Sequence, residues 1–305
     1  MAIAIFDFGT NIFNLLIAER EERGFKILYT GKQPVKLGQG GIHSSFLTPD
    51  AFERGFTAIQ NHMEVVRRFK VEEIRAFATS AIRNAMNGED FVEEVRSRFG
   101  FRTRIIPGER EAELIYKGVR QSIRLTGNKV MILDIGGGSN EFIICNQEGV
   151  SWKHSFELGM ARILELFTLS DPITEEEITA IESYFQQGIA PLMEAVKREK
   201  PMALIGASGA FDTFHALIQN RTGKEPDGKP GRELPMKEYQ KLHKSLLQST
   251  ELERMAMPGM EPVRVEMIVP ASIFVSFVLR ECRIGHLYHS GYSLKEGVIA
   301  ELLGL

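Results

Sequence analysis

The chain reads as an α/β protein built twice over: two related halves, each a sheet flanked by helices, with a ligand cleft between them. Three observations predict this. Strand-like apolar runs alternate with helical stretches along the whole length. At 305 residues the chain is long for one compact core. One short plan also occurs twice: IAIFDFGTNIFNLLIAE from Ile3 and VMILDIGGGSNEFIICN from Val130 share an apolar strand, Asp-x-Gly, a small polar turn and a second apolar strand. Their aspartates, Asp7 and Asp134, lie 127 residues apart, about one domain's worth of chain. The boundary is placed near Arg124–Asn128, at TGN, giving domains 1–125 and 126–305, with the final helix expected to brace the first domain.

Taken in order, the first half reads as strand Ala2–Phe6, tight turn, strand Asn14–Ala18, turn Glu22–Gly24 and strand Phe25–Tyr29. A glycine-rich loop, LGQGGIHS, follows. Thr48-Pro49 announces a helix, as an N-cap with proline at the first helical position. IRAFATSA is a strand, EDFVEEVRSRF a helix, RTRIIP a strand, and Gly108–Ile123 a helix. After the second strand-turn-strand come a strand around Val150–His154 and helices over Met160–Phe167 and roughly Thr174–Lys197. MALIGASG is a strand entering a glycine turn and helix. Arg221–Pro235, RTGKEPDGKPGRELP, has loop composition. The remainder is helical apart from a strand at His286–Ser290, and closes on LKEGVIAELLGL.

Composition limits the function classes. With 43% hydrophobic and 25% charged residues, one Trp and a net charge of −3, nothing global points to nucleic acid or a membrane surface. An anionic ligand must be handled by a local site. Cys145 and Cys282 lack CxxC spacing and read as buried free thiols, in keeping with a cytoplasmic protein. Asp7 interrupts the first apolar run and no basic start precedes it, so a signal peptide is not expected. The run from Met267, MIVPASIFVSFVL, is too short to span a bilayer.

The turn DIGGGSNE admits two readings. Glycine is at home in a hairpin turn, where φ is positive. A bare backbone also lets anionic oxygens approach N–H groups, as in a phosphate cradle. Three other stretches bear on the choice: ATSAIRNAMN after a strand, with Arg83; PGEREAELIYKGV, a helix start carrying Glu109 and Glu111; and LGMAR, with Arg162. Each alone has a structural explanation, since acids favour a helix's first turn and arginines are usually solvated or paired. Other phosphate signatures are absent: no GxxxxGK[ST] occurs, LGQGGIHS lacks the last glycine of GxGxxG, and HLYH (His286, His289) fits alternation on a strand better than a zinc helix.

Together, and in this order, DFGTNI, TSAIR, GEREA, DIGGGSNE, LGMAR, GASGAF and YSLKEG resemble the exopolyphosphatase / guanosine pentaphosphate phosphohydrolase (Ppx/GppA phosphatase) family of the actin-like ATPase superfamily. The resemblance extends over nearly the whole chain. It implies two actin-like (ribonuclease H-like) domains with mixed sheets flanked by helices and an active site in the interdomain cleft. It implies Mg²⁺-assisted, in-line attack of water on the terminal phosphoanhydride of inorganic polyphosphate or guanosine pentaphosphate. Glu111 would orient or deprotonate the water and Arg83 would stabilise the phosphoryl charge, with help from Arg162. Gly9, Thr10 and Asn11 in one turn and Gly136, Gly137, Gly138 and Ser139 in the other would grip phosphates; Asp134, Glu141 and Asp7 would hold Mg²⁺.

The sequence departs from the family pattern at Asn14, where a cation is usual, and at Ile12, Arg110 and Asn140. Arg110 is expected to restore part of the missing positive charge. A chain ending near residue 305 leans towards short polyphosphates, guanosine pentaphosphate or another phosphoanhydride. A homodimer is in keeping with the family, though no stretch of sequence marks an interface. Two alternatives stand beside the hydrolase: a non-catalytic sensor of polyphosphate, alarmone or nucleotide in the same cleft, and, further behind, a kinase or chaperone-type ATPase of the superfamily.

Overall fold

In a computed structural model the chain is described over residues 2–22, 24–41, 44–223 and 228–305. Parts of LGQGGIHS (Ile42, His43) and of the Arg221–Pro235 segment (224–227) lie outside the described residues. The first sheet comprises β1 (Ala2–Phe8), β2 (Ile12–Arg20), β3 (Phe25–Pro34), β4 (Glu73–Ala78) and β5 (Thr103–Ile105), in the order β3-β2-β1-β4-β5. Helices α1 (Pro49–Arg68), α2 (Ser80–Asn84), α3 (Gly88–Phe99) and α4 (Gly108–Ser122) belong to the same half of the sequence. The second sheet comprises β6 (Val130–Ile135), β7 (Asn140–Asn146), β8 (Gly149–Phe156), β9 (Ala203–Ala207), β10 (Gly231–Glu233) and β11 (His286–Ser290), ordered β10-β11-β9-β6-β7-β8. The later helices are α5 (Met160–Leu166), α6 (Glu175–Gly188), α7 (Ala190–Glu199), α8 (Gly209–Thr222), α9 (Met236–Leu247), α10 (Glu251–Met255), α11 (Ile268–Glu281) and α12 (Leu294–Leu303).

The sheets repeat one topology. In each, three strands pair antiparallel in succession (β1-β2-β3 and β6-β7-β8), and the first of them pairs parallel with a later strand, β4 or β9. The register repeats as well. Asp7 faces Asn14 across the first hairpin, and Asp134 faces Glu141 across the second. The turns close with the same bond: Gly9 N–H to the Ile12 carbonyl at 3.1 Å, and Gly136 N–H to the Ser139 carbonyl at 3.0 Å. The mixed sheets and the repeat are those the sequence predicts.

Local chemistry sets the element boundaries. Thr48 caps α1 by accepting from the Ala51 N–H, Pro49 opens the helix, and Arg67 and Arg68 stand at its negative end. The helical stretch expected over Thr174–Lys197 divides at Ile189, because Pro191 cannot donate to the turn before it and instead starts α7. Strand β10 falls inside the expected loop Arg221–Pro235; only its pairing with β11 makes it a strand. On β11, His286 is exposed and His289 buried, as alternation requires. Both cysteines are free and buried, and burial pushes the Cys145 thiol up to about 12. No described helix is long and apolar enough to cross a membrane.

Among the described residues three apolar cores form. One lies on the far side of each sheet, and the third joins the two halves: Ile3, Ile5 and Leu16 meet Ile132, Ile143 and Ile205 through α4 and α12. Those helices cross at two glycines. A Cβ on Gly297 would sit 1.7 Å from the Leu114 carbonyl oxygen, and one on Gly118 would sit 1.9 Å from that of Ser293. No side chain fits there. Gly297→Ala must push α12 off α4, so it should destabilise the protein by about 3 kcal/mol. Thermal unfolding checks this; an unchanged midpoint would refute the close crossing.

Candidate active site

A cleft of about 650 Å³ opens between the hairpin turns. The turns face each other at contact distance. A Cβ on Gly137 would meet the Asn11 side chain at 2.7 Å, and one on Gly138 would meet Ser80 Oγ at 2.4 Å and Thr10 Oγ1 at 2.8 Å. Here glycine is needed for close approach, not for positive φ. The start of α5 braces the second turn from behind: Gly159, Met160 and Ala161 N–H groups donate to the carbonyls of Gly138, Gly136 and Gly137 at 3.2, 3.0 and 2.8 Å.

Among the described residues, the carboxylates that line this cleft are Asp7, Glu111, Asp134 and Glu141. Glu111 projects from the first turn of α4 and is 8% exposed. Burial, and then the Glu141 charge, hold its carboxyl well above the usual carboxylate value, against the opposing pull of Arg83. Burial also raises Asp7, Glu141 and Asp134, the last up to about 8 with Glu141 adding to it. Glu141 accepts from the Ser139 and Ser155 hydroxyls, each at 2.7 Å, and Asp134 accepts from Ser293 at the start of α12.

Most of the predicted residues converge. Gly9, Thr10, Asn11, Gly136, Gly137, Gly138, Ser139, Asp7, Asp134, Glu141 and Glu111 all border the cleft. Three findings differ from expectation. The Gly9 and Gly136 N–H groups are spent closing their own turns, so these glycines shape the turns instead of donating to a ligand. Arg83 is not free to face an anion alone: it bonds Glu111 at 2.8 Å and the Ile106 carbonyl at 3.2 Å, and lies 3.5 Å from Glu157. Arg162 donates to the Gly138 carbonyl at 2.8 Å and to Glu157 at 2.7 Å, which makes it a brace for the turn.

Arg110 does not restore the cation missing at Asn14. It pairs with Glu113 and Glu301, outside the residues that line the cleft. Asn14 donates to Asp7 at 2.9 Å instead. The cleft cations that sequence reading missed are Lys295 and Arg264. Burial alone would lower the Lys295 ammonium, but Glu296, Asp7, Asp212 and Asp134 together raise it. Its signal was YSLKEG, recognised as a landmark with no role attached. Glu157 was missed too. It binds Ser80 (3.2 Å), Asn84 (2.7 Å) and Arg162, tying α2 to the start of α5. Ser208, in GASGAF, lines the cleft with φ of 65°, a strained conformation for a residue with a Cβ.

The donor set suits a hard divalent cation. Among the described residues no three His, Cys, Asp or Glu side chains form a ready-made metal cluster. Carboxylate oxygens at the mouth of a phosphate-sized cleft are nevertheless how Mg²⁺ is commonly held, with water and substrate oxygens completing its shell. The raised carboxyls make the same point from another side, since a cation relieves the repulsion that burial leaves.

This has a measurable consequence in the metal-free protein. Asp134 titrates near 3.8 when unfolded and near 8 when folded, so the folded state binds the extra proton between those values. Its stabilisation is present in full below about pH 4 and is lost as pH rises towards 8, on the order of 2–3 kcal/mol in a cleft open to water. In EDTA, the urea midpoint should fall between pH 5 and pH 8, and less steeply in Asp134→Asn or with Mg²⁺ added. A midpoint indifferent to both changes would show that Asp134 is ordinarily ionised.

Comparison with known proteins places this arrangement. Residues 16–305 match the Ppx/GppA phosphatase family. Exopolyphosphatase 2 of Mycobacterium tuberculosis is 28% identical, with 99% of this chain and 98% of that protein aligned. The crystal structure of an exopolyphosphatase from Cytophaga hutchinsonii superposes with a TM-score of 0.96 at 34% identity, covering 100% of this chain and 99% of that one. A Ppx/GppA family member from Aquifex aeolicus gives a TM-score of 0.81 at 27% identity, over 100% and 98% of the two chains.

Proposed function

Because the chain belongs to the Ppx/GppA phosphatase family, we propose that this phosphoanhydride hydrolase removes the terminal phosphate of inorganic polyphosphate or of guanosine pentaphosphate by in-line attack of water. The observation that carries this reading is Glu111, a buried carboxyl of raised pKa held by Arg83 at the cleft between two glycine-rich turns.

The terminal phosphoryl group lies between the turns. Thr10, Asn11, Gly137, Gly138 and Ser139 offer it backbone and hydroxyl donors, which act on charge spread over its three outer oxygens. Glu111 orients the water and takes its proton; a base tuned upwards by burial is matched to work near neutral pH. Lys295 supplies positive charge from the start of α12, where the family pattern would have it at Asn14. The carboxylates in the cleft would repel a polyanion unaided; Asp134, Glu141 and Asp7 would hold a divalent cation, for which we propose Mg²⁺, and its charge would offset that of the phosphate oxygens. We further propose that the protein works in the cytoplasm, as a homodimer, on polyphosphate or a phosphorylated guanosine nucleotide, without nucleic acid or membrane partners.

Phosphate release from tripolyphosphate and guanosine pentaphosphate, with and without Mg²⁺, tests the reading. Mg²⁺-dependent release from either establishes the hydrolase. Binding of one without release would instead support a sensor, the reading that the loss of the cation at Asn14 favours.

A further inference from the structure

Four side-chain donors, drawn from both halves of the chain, converge on one carboxylate beside the cleft. Glu157 Oε2 accepts from Ser80 Oγ at 3.2 Å, Asn84 Nδ2 at 2.7 Å and Arg162 Nη2 at 2.7 Å, and its Oε1 lies 3.5 Å from Arg83 Nη2. The donors are rooted and the acceptor is not. The Arg83 and Arg162 side chains are each only 14% exposed, and both are anchored elsewhere: Arg83 by Glu111 and the Ile106 carbonyl, Arg162 by the Gly138 carbonyl. Ser80 is buried. The Glu157 side chain is 44% exposed and stands between β8 and α5, so it can turn out to water while the donors stay in place.

We infer that these donors form an oxyanion subsite for the released orthophosphate, and that Glu157 occupies it until the anion displaces the carboxylate. The inference rests on the hydrolase reading above for the identity of the anion. Position is the first reason. Ser80 also lines the phosphate cleft, where a Cβ on Gly138 would meet its Oγ at 2.4 Å. Asn84, 3.4 Å from that hydroxyl, lines with Arg162 an adjoining recess of about 230 Å³. A phosphate moving off the turns reaches these donors next. Charge is the second reason, since two guanidiniums, an amide and a hydroxyl are the donor types that hold phosphate. Shape is the third. Three donors crowd onto one oxygen of Glu157, and the other oxygen meets Arg83 only at 3.5 Å, beyond a normal hydrogen bond. A planar group with two oxygens matches that set poorly, whereas a tetrahedral one can offer each donor an oxygen of its own. A tethered carboxylate competes at an effective concentration on the order of millimolar, which keeps the product from staying and blocking the next turnover.

The test is calorimetric titration of the full chain with inorganic phosphate in EDTA, which needs no turnover. Glu157→Ala should tighten phosphate binding roughly tenfold or more, because the subsite is then open in every molecule. Glu157→Gln should tighten it about threefold, since a neutral amide still competes through its oxygen but without charge. Adding Asn84→Leu to Glu157→Ala should return most of the gain. During hydrolysis of tripolyphosphate, the inhibition constant for phosphate should fall by the same factors. Unchanged or weaker binding in both Glu157 variants would overturn the inference and leave Glu157 a tie between α2 and α5. A gain that Asn84→Leu does not touch would overturn it too, since the phosphate would then sit between the turns alone. If Glu157→Ala proves unfolded by circular dichroism, Glu157→Gln decides. If the wild type hydrolyses neither tripolyphosphate nor guanosine pentaphosphate while the tightening holds, the hydrolase reading fails and the oxyanion subsite stands.

Discussion

Glu111→Gln should lower kcat by roughly 10²–10⁴-fold and leave KM within a few-fold, the range for losing a positioned general base. The amide keeps the shape of the side chain, and its oxygen can still accept from Arg83. Its nitrogen cannot take a proton from water. The substitution also removes a carboxyl that burial and Glu141 already disfavour in its charged form, so the variant should be as stable as the wild type or more so. The two readouts together separate chemistry from folding. Phosphate release within fivefold of wild type would remove Glu111 from the reaction.

Arg83→Met is the second large effect, and its pH dependence is the informative part. Arg83 opposes the burial that raises Glu111, bonding it at 2.8 Å. Without the guanidinium the Glu111 carboxyl climbs further, so less of it is ionised at neutral pH. The acid limb of the rate profile should therefore move to higher pH by about one unit or more, with a loss of roughly 10²-fold at pH 7. Much of that loss should return at alkaline pH if Arg83 acts through Glu111. A deficit that is the same at every pH would mean that the guanidinium acts on the phosphoryl oxygens directly. An unshifted limb with full activity would exclude both roles.

How much of this was legible depends on whether the cause is local. The hairpin turns were, because an Asp, a glycine run and flanking apolar strands specify a turn within a dozen residues. Thr48-Pro49 and the Glu111 helix start were legible for the same reason. What was not legible depends on partners far along the chain. Gly118 and Gly297 sit inside helices where glycine costs stability, and only the crossing of α4 with α12 explains them. Arg110 looked like a substitute cation until Glu301 claimed it. Lys295 lies 161 residues after Asp134 in the chain, yet the two share the cleft. Strand β10 has three residues and no signal of its own; β11 creates it.

The position of α12 also bears on how the protein is made. Synthesis delivers Glu111 early, on a helix whose inner face, at Leu114, Ile115 and Val119, waits for Leu294, Val298 and Ile299 to cover it. Leu294 follows Leu114 by 180 residues of synthesis. The nascent chain therefore carries Glu111 on an uncovered surface until α12 emerges, and α12 both seals that surface and brings Lys295 to the cleft.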